Sequence, residues 1–158
     1  MDCGRITRMA GTFTNLLFHI VFSTRDRAPL LTTQLRPELF KYIGGILRQQ
    51  GGILLEIGAM DDHMHLLVKI RADQSVAEIV RLIKSNSSKW LNERPGPQDR
   101  FEWQSGYGAF TVSESQLPTV RKYILSQEEH HRARSFQEEF VEMLNRHGLK
   151  FDEQYIWK

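Results

Sequence analysis

Two histidines stand two residues apart in residues 61–70, whose sequence is DDHMHLLVKI. Because successive side chains of a β-strand point to opposite faces, His63 and His65 share one face of the strand predicted here. The other face is apolar and is expected to pack against helices: Met64, Leu66, Val68 and Ile70. Two imidazoles on one exposed strand face can bind a divalent metal ion, although a pair of surface histidines produces the same pattern.

A second group of polar side chains lies in residues 120–131, with the sequence VRKYILSQEEHH. Tyr123 and Gln127 are four residues apart, so they share one face of the helix predicted over this stretch. A tyrosine in this position can act as a nucleophile, or it can lie at the edge of the hydrophobic core. The spacing alone leaves both interpretations open.

A third group is the basic face formed by Arg81, Lys84 and Lys89, with serine and asparagine side chains between them. Such groups donate hydrogen bonds to phosphate without reading the base sequence. The same composition is also typical of a solvated helix face.

The composition describes a single ordinary domain. The chain has 158 residues, of which 41% are hydrophobic and 25% charged, so it can bury a core without disulfides. The single cysteine, Cys3, excludes a disulfide framework and a cysteine-rich zinc site. The net charge of +2 means that any affinity for nucleic acid depends on where the basic residues lie. No apolar run reaches about 18 residues, so we expect no membrane span and a cytoplasmic protein.

Hydrophobic periodicity and turn signals predict the order β-α-β-β-α-β, followed by helices. The predicted strands cover 12–24, 53–60, 63–70 and 107–112, and the predicted helices cover 33–50, 76–92, 117–132 and 136–148. Ser113 and Gln116 are expected to cap the third helix, and Ser135 with Glu138 the last. This order predicts an α+β, ferredoxin-like (RRM-like) antiparallel sheet with C-terminal helices. We expect a flexible arm at 1–12, one domain at 13–132 and a helical extension at 133–158.

Several enzyme classes lack their motifs in this chain. It contains no P-loop, no dinucleotide-binding glycine fingerprint and no GxSxG elbow. Binuclear metallohydrolases that begin with HxH usually carry an aspartate two residues later, where this chain has Leu67.

The triplet His63-Met64-His65 resembles the HUH motif (histidine, hydrophobic residue, histidine) of single-tyrosine transposases from small bacterial insertion sequences. Relatives associated with repetitive extragenic palindromes share this motif. The resemblance covers roughly residues 13–132, and it includes the stretches 17–24, 61–67, 103–110 and 123–131. The combination of the triplet with Tyr-x-x-x-Gln after the fourth strand makes it specific.

This resemblance implies a role for each matching residue. His63, His65 and Gln127 would hold a divalent metal ion, Mg²⁺ or Mn²⁺, and Tyr123 would be the nucleophile. The substrate would be single-stranded DNA beside a hairpin, cut to give a 5′-phosphotyrosine and a free 3′-OH. The active unit would be a homodimer in which the tyrosine helix of one subunit docks on the histidines of the other.

Two alternatives remain open beside a mobile-element transposase. One is a domesticated, repeat-associated tyrosine transposase that cuts palindromes, and the other is a non-catalytic module that binds single-stranded nucleic acid. His19 lies on the mixed face of the first strand, which neighbours the third in such a sheet, so we expect it near the metal site with a structural or DNA-positioning role. Further candidates for DNA contact are Arg81, Lys84 and Lys89.

Overall fold

The computed structural model describes residues 11–96, 99–131 and 134–157. Four strands form one antiparallel sheet in the order β2-β3-β1-β4: β1 (Leu16–Ser23), β2 (Ile53–Ala59), β3 (His63–Ile70) and β4 (Gly108–Val112). Helices α1 (Arg36–Gln49) and α2 (Val76–Asn92) connect them. This β-α-β-β-α-β order confirms the predicted ferredoxin-like fold. Most of the predicted arm at 1–12, and the predicted domain boundary after residue 132, lie outside the described residues.

One face of the sheet packs against α1 and α2 through apolar side chains. β1 and β3 contribute Ile20, Phe22, Met64, Leu66 and Val68, all almost completely buried. The helices contribute Leu39, Ile43, Leu47, Ile79 and Ile83. The predicted alternation along β3 is therefore confirmed, since Met64, Leu66, Val68 and Ile70 all belong to the cluster under these helices. Ser75 caps the N-terminus of α2, because its side chain accepts a hydrogen bond from the backbone N–H of Glu78.

The opposite face of the sheet is also buried, and the expectation of an exposed face was wrong. It lies beneath α3 (Leu117–Leu125), α4 (Gln127–His131) and α5 (Phe136–Arg146). Val21 and Phe110 on the strands form a second apolar cluster with the side chains of α5: Phe136, Phe140, Met143 and Leu144. The C-terminal helices therefore exclude water from the strand face that carries the histidines.

The helix predicted over residues 117–132 is interrupted at Ser126, whose backbone leaves the helical range (φ −99°, ψ 25°). The hydroxyl of Ser126 donates a hydrogen bond to the carbonyl of Lys122 at 2.7 Å, and such back-bonding competes with the regular helical pattern.

The predicted caps at Ser113 and Gln116 were wrong, because neither side chain makes a capping bond. Residues 114–116 form a 3-10 turn there instead. At α5, the predicted capping box of Ser135 and Glu138 is confirmed.

Two glycines on the edge strands allow the site helices to approach the sheet. A Cβ at Gly58 on β2 would lie 2.5 Å from the carbonyl oxygen of Ile124 on α3. A Cβ at Gly108 on β4 would lie 2.7 Å from a ring carbon of Phe140 on α5. Both separations are shorter than a Cβ atom can have from a neighbouring atom, so each position requires glycine for this close packing. The two helices therefore dock at opposite edges of the sheet, on either side of the central strands that carry the histidines.

In the part of the chain that the structure describes, no helix is both long enough and apolar enough to cross a membrane.

Candidate active site

The site is built on the two central strands. His63 and His65 on β3 are both fully buried. Residue 21 of β1 lies opposite His65, which makes His19 a diagonal neighbour of that histidine. The Nε2 atom of His19 lies 2.8 Å from Nδ1 of His65. The structure thus places His19 directly beside the pair of histidines.

The ring of His63 is held from two sides. Its Nδ1 lies 2.6 Å from the Oδ1 atom of Asp62, and its face stacks on Phe136 with the ring centroids 4.3 Å apart. A ring nitrogen that donates to a carboxylate fixes the tautomer and leaves the other nitrogen free to bind a ligand. The contact with Asp62 therefore directs Nε2 of His63 into the site.

Gln127 and Tyr123 reach the same place although the helix break separates them. The Oε1 atom of Gln127 lies 3.4 Å from Nε2 of His63, and its side-chain amide donates to the carbonyl of Tyr123 at 3.1 Å. The Tyr123 ring stands edge-on to His65 and His19, with centroid distances of 5.7 Å and 6.0 Å. The structure thus brings together all four residues that the resemblance singled out.

Glu139 on α5 belongs to the same cluster, although it was not among the site residues predicted from the sequence. Its Oε1 atom lies 2.8 Å from Nε2 of His65 and 3.8 Å from Nε2 of His63. The residue is only 5% exposed. A signal was present, because Glu139 falls on the apolar stripe formed by Phe136, Phe140 and Met143. A carboxylate on such a stripe is costly to bury unless it has partners.

The electrostatics of the site keep two of its groups, His19 and Tyr123, neutral. Burial, together with the neighbouring His65, lowers the pKa of His19 to about 3, so this imidazole is uncharged at neutral pH. Burial raises the pKa of the Tyr123 hydroxyl, and the nearby carboxylate of Glu139 acts in the same direction. The phenol is therefore protonated at neutral pH and has to lose its proton before or during an attack.

The donor atoms of the site fit a divalent metal ion. When His63 donates its Nδ1 proton to Asp62, its Nε2 carries a lone pair that faces Oε1 of Gln127. Neither of these two atoms can then donate a hydrogen bond to the other. A divalent cation can be bound by both atoms, because a neutral imidazole nitrogen is a common metal ligand and an amide oxygen is a ligand of Mg²⁺ and Mn²⁺.

The three basic residues proposed for DNA contact lie elsewhere, on α2 and thus on the other side of the sheet. Arg81 forms an ion pair with Glu78 at 2.6 Å, and Lys89 lies 3.9 Å from Glu93. Lys84 donates to the backbone carbonyls of residues 104 and 106 at 2.8 Å and 2.6 Å. Lys84 therefore holds the loop before β4, whereas Arg81 and Lys89 remain on the surface.

Comparison with known proteins identifies the family. The sequence model described as "Transposase IS200 like" matches residues 12–127. The ISDra2 transposase TnpA of Deinococcus radiodurans is 25% identical over 122 residues, which cover 74% of this chain and 87% of that protein.

Two solved structures share the fold. A transposase crystal structure from Deinococcus radiodurans R1 has a TM-score of 0.58 at 24% identity, covering 80% of this chain and 98% of the other. The structure of a REP-associated tyrosine transposase bound to a REP hairpin has a TM-score of 0.59 at 18% identity, covering 75% of this chain and 70% of the other. The matched residues 12–127 make up most of the chain and contain the sheet, both histidines and the tyrosine, and the chain therefore belongs to the IS200-like family of DNA transposases.

Proposed function

We propose that this transposase nicks single-stranded DNA and transfers the cut strand, with Tyr123 as the nucleophile. One observation carries the proposal: the tyrosine, two buried histidines and a glutamine amide converge on the same face of the sheet. A tyrosine phosphodiester conserves the energy of the broken bond, so the strand can be rejoined without ATP.

The metal ion is assigned to His63, His65 and Gln127. When bound, it would stabilise the charge on the non-bridging phosphate oxygens in the transition state. The surrounding residues hold the ligands in place: Asp62 and Phe136 orient the ring of His63, and His19 orients the ring of His65. Such supporting contacts commonly contribute 10-fold to 100-fold to metal affinity.

The tyrosine performs the covalent step. Its oxygen forms a bond to phosphorus and loses its proton, while the bond from phosphorus to the 3′-oxygen breaks and that oxygen takes up a proton. The products are a 5′-phosphotyrosine and a free 3′-OH. Attack by the 3′-OH of another strand on this linkage reverses the chemistry and completes strand transfer. The raised pKa of Tyr123 means that the proton has to be accepted within the site.

Single-stranded DNA beside a hairpin is the proposed substrate. The proposal is supported by the family and by the fold shared with a tyrosine transposase whose structure contains a REP hairpin. Arg81 and Lys89 are exposed and can exchange their surface carboxylate partners for phosphate. Because Lys84 is already bonded to two carbonyls, we assign it mainly to the support of the loop before β4.

The homodimer with sites assembled in trans stays a prediction. Within the described chain, Tyr123 lies against His65 of the same chain, and these contacts support a site in cis. Mixing His65→Ala with Tyr123→Phe distinguishes the arrangements once subunit exchange has been shown. Recovered cleavage would establish the trans arrangement, and no recovery at any ratio would establish the cis arrangement.

Covalent capture tests the proposed chemistry directly. A hairpin oligonucleotide with a 3′ label should give a labelled protein band in Mn²⁺, while a 5′ label should leave with the released fragment. Tyr123→Phe should abolish the band and retain DNA binding. Tyr107→Phe is a matched control, because this partly exposed tyrosine lies outside the cluster. If the wild-type protein forms no adduct with any hairpin, it acts as a binding module rather than a nuclease.

The flanks of the gene distinguish the two transposase roles. Palindromic ends beside the reading frame would indicate a mobile element. Palindromes scattered through the genome would indicate the domesticated, repeat-associated role.

A further inference from the structure

Glu139 is the one carboxylate of the described residues that lies within reach of both site histidines. The ligand atoms of His63, His65 and Glu139 all lie within 4.8 Å of one another, and all three residues are buried. Neighbouring ligands of an ion with bonds of about 2.1 Å are about 3 Å apart. The separations of 2.8 Å and 3.8 Å between Oε1 of Glu139 and the two Nε2 atoms therefore suit ligands of one ion.

The position of Glu139 is fixed by the packing of α5. The N-cap of this helix is Ser135, which forms a capping box with Glu138, the residue next to Glu139. Phe136 stacks on His63, and Phe140 sits against the bare backbone of Gly108. These contacts lie on both sides of Glu139 along the helix. The carboxylate is thus held against the histidines by the same helix face that closes the site.

We infer that Glu139 is a direct ligand of the metal ion, alongside His63, His65 and Gln127. The inference rests on the proposed function, which supplies the ion, and it extends the site to α5, beyond the residues 12–127 matched by the family. Two imidazoles with one carboxylate and one amide oxygen form a mixed nitrogen and oxygen set. Such a set favours Mn²⁺ over Mg²⁺, which prefers oxygen ligands.

The competing explanation is that Glu139 is only a hydrogen-bond acceptor for His65. In that case the carboxylate would occupy the place of the ion, and its removal would leave metal binding unchanged or make it tighter. A ligand has the opposite effect, because its loss weakens binding. The sign of the change in affinity separates the two explanations.

Mn²⁺ titration of the metal-stripped full chain, followed by the electron paramagnetic resonance signal of free Mn²⁺, measures this affinity without any cleavage assay. We expect Glu139→Gln, which keeps the size of the side chain, to weaken Mn²⁺ binding by about 10-fold or more. Glu139→Asp, which keeps the carboxylate on a shorter side chain, should retain part of the affinity. The matched control is Glu142→Gln, because Glu142 lies one turn along the same helix and pairs with Arg134 and Arg146. This control should bind Mn²⁺ like the wild type.

Each outcome has a definite meaning. Wild-type affinity or tighter binding in Glu139→Gln overturns the inference. If His65→Ala also retains wild-type affinity, the proposed metal site itself is wrong. If His65→Ala loses binding and Glu139→Gln does not, only the role of Glu139 is wrong. If Glu139→Gln fails to fold, as judged by circular dichroism, Glu139→Asp decides the question, and undiminished affinity in that variant contradicts the inference.

Discussion

The two faces of the sheet are both buried, but one carries apolar side chains and the other carries the histidines of the site. The face under α1 and α2 carries only apolar side chains from β1 and β3, and its burial drives folding. The face under α3, α4 and α5 carries three histidines, and each of them has a polar partner. Burial of polar groups is costly unless they are hydrogen-bonded. The polar contacts on this second face therefore fix the orientation of the histidine rings. Substitutions on the first face should therefore change stability, and those on the second should change chemistry.

Among the proposed metal ligands, the largest expected effect on cleavage comes from His63→Ala or His65→Ala. Each should reduce cleavage by about 1,000-fold or more, because charge in the transition state loses its stabilisation. Binding of the hairpin should persist, since affinity for DNA comes mostly from phosphate contacts elsewhere. Gln127→Ala should cost less, because water can replace an amide ligand.

Cleavage rates and gel-shift affinities measured on the same preparations check this prediction. An equal loss in all three variants would mean that Gln127 does more than bind the metal ion. Retained cleavage in either histidine variant would refute the site.

Leu66→Ala is the counterpart on the apolar face. Leu66 is completely buried against the helices, so its truncation should lower the free energy of unfolding by about 2–5 kcal/mol. The folded fraction should bind Mn²⁺ with wild-type affinity. Urea denaturation and the Mn²⁺ titration together test the division between the faces. A large loss of affinity in folded Leu66→Ala protein would show that the two faces are coupled.

The sequence predicted the apolar face more completely than the site. Alternation along residues 63–70 suffices to separate the two faces of β3, because the side-chain period of a strand is fixed. The cover over His63 and His65 comes from α5, some 70 positions later, and local periodicity carries no information about such distant contacts. The break at Ser126 was missed because no proline or glycine marks it. Glu139 was missed although its place on an apolar stripe was visible.

Gly58→Ala tests whether the docking of α3 on the sheet positions the tyrosine. The added Cβ would collide with the carbonyl oxygen of Ile124, so α3 and Tyr123 have to shift. A misplacement of about 1 Å can reduce a rate by about 100-fold. We expect a loss of that order in cleavage, with little change in Mn²⁺ affinity. The measurement is the rate of adduct formation at saturating DNA and Mn²⁺.

The matched control lies on the other side of the sheet. A Cβ at Gly45 on α1 would meet no atom within 4 Å. Gly45→Ala should therefore cleave normally and gain up to about 1 kcal/mol of stability from better helix propensity. If Gly58→Ala cleaves as fast as Gly45→Ala, the close approach of α3 to β2 does not position the nucleophile.

The smallest expected effect is that of His19. His19→Phe removes the partner of Nδ1 of His65 and should weaken Mn²⁺ binding by about 10-fold to 100-fold. His19→Gln offers a side-chain amide in place of the imidazole and should restore much of the affinity. Equal affinity in the two variants would show that His19 supports the fold without orienting His65.

The central claim is that Tyr123 becomes covalently linked to the 5′-phosphate of cut DNA. Mass spectrometry of the wild-type adduct, after digestion with trypsin and a nuclease, measures this directly. We expect a nucleotide 5′-phosphate on the tryptic peptide 123–132, attached to Tyr123. Attachment to any other residue, or linkage through a 3′-phosphate, would contradict it.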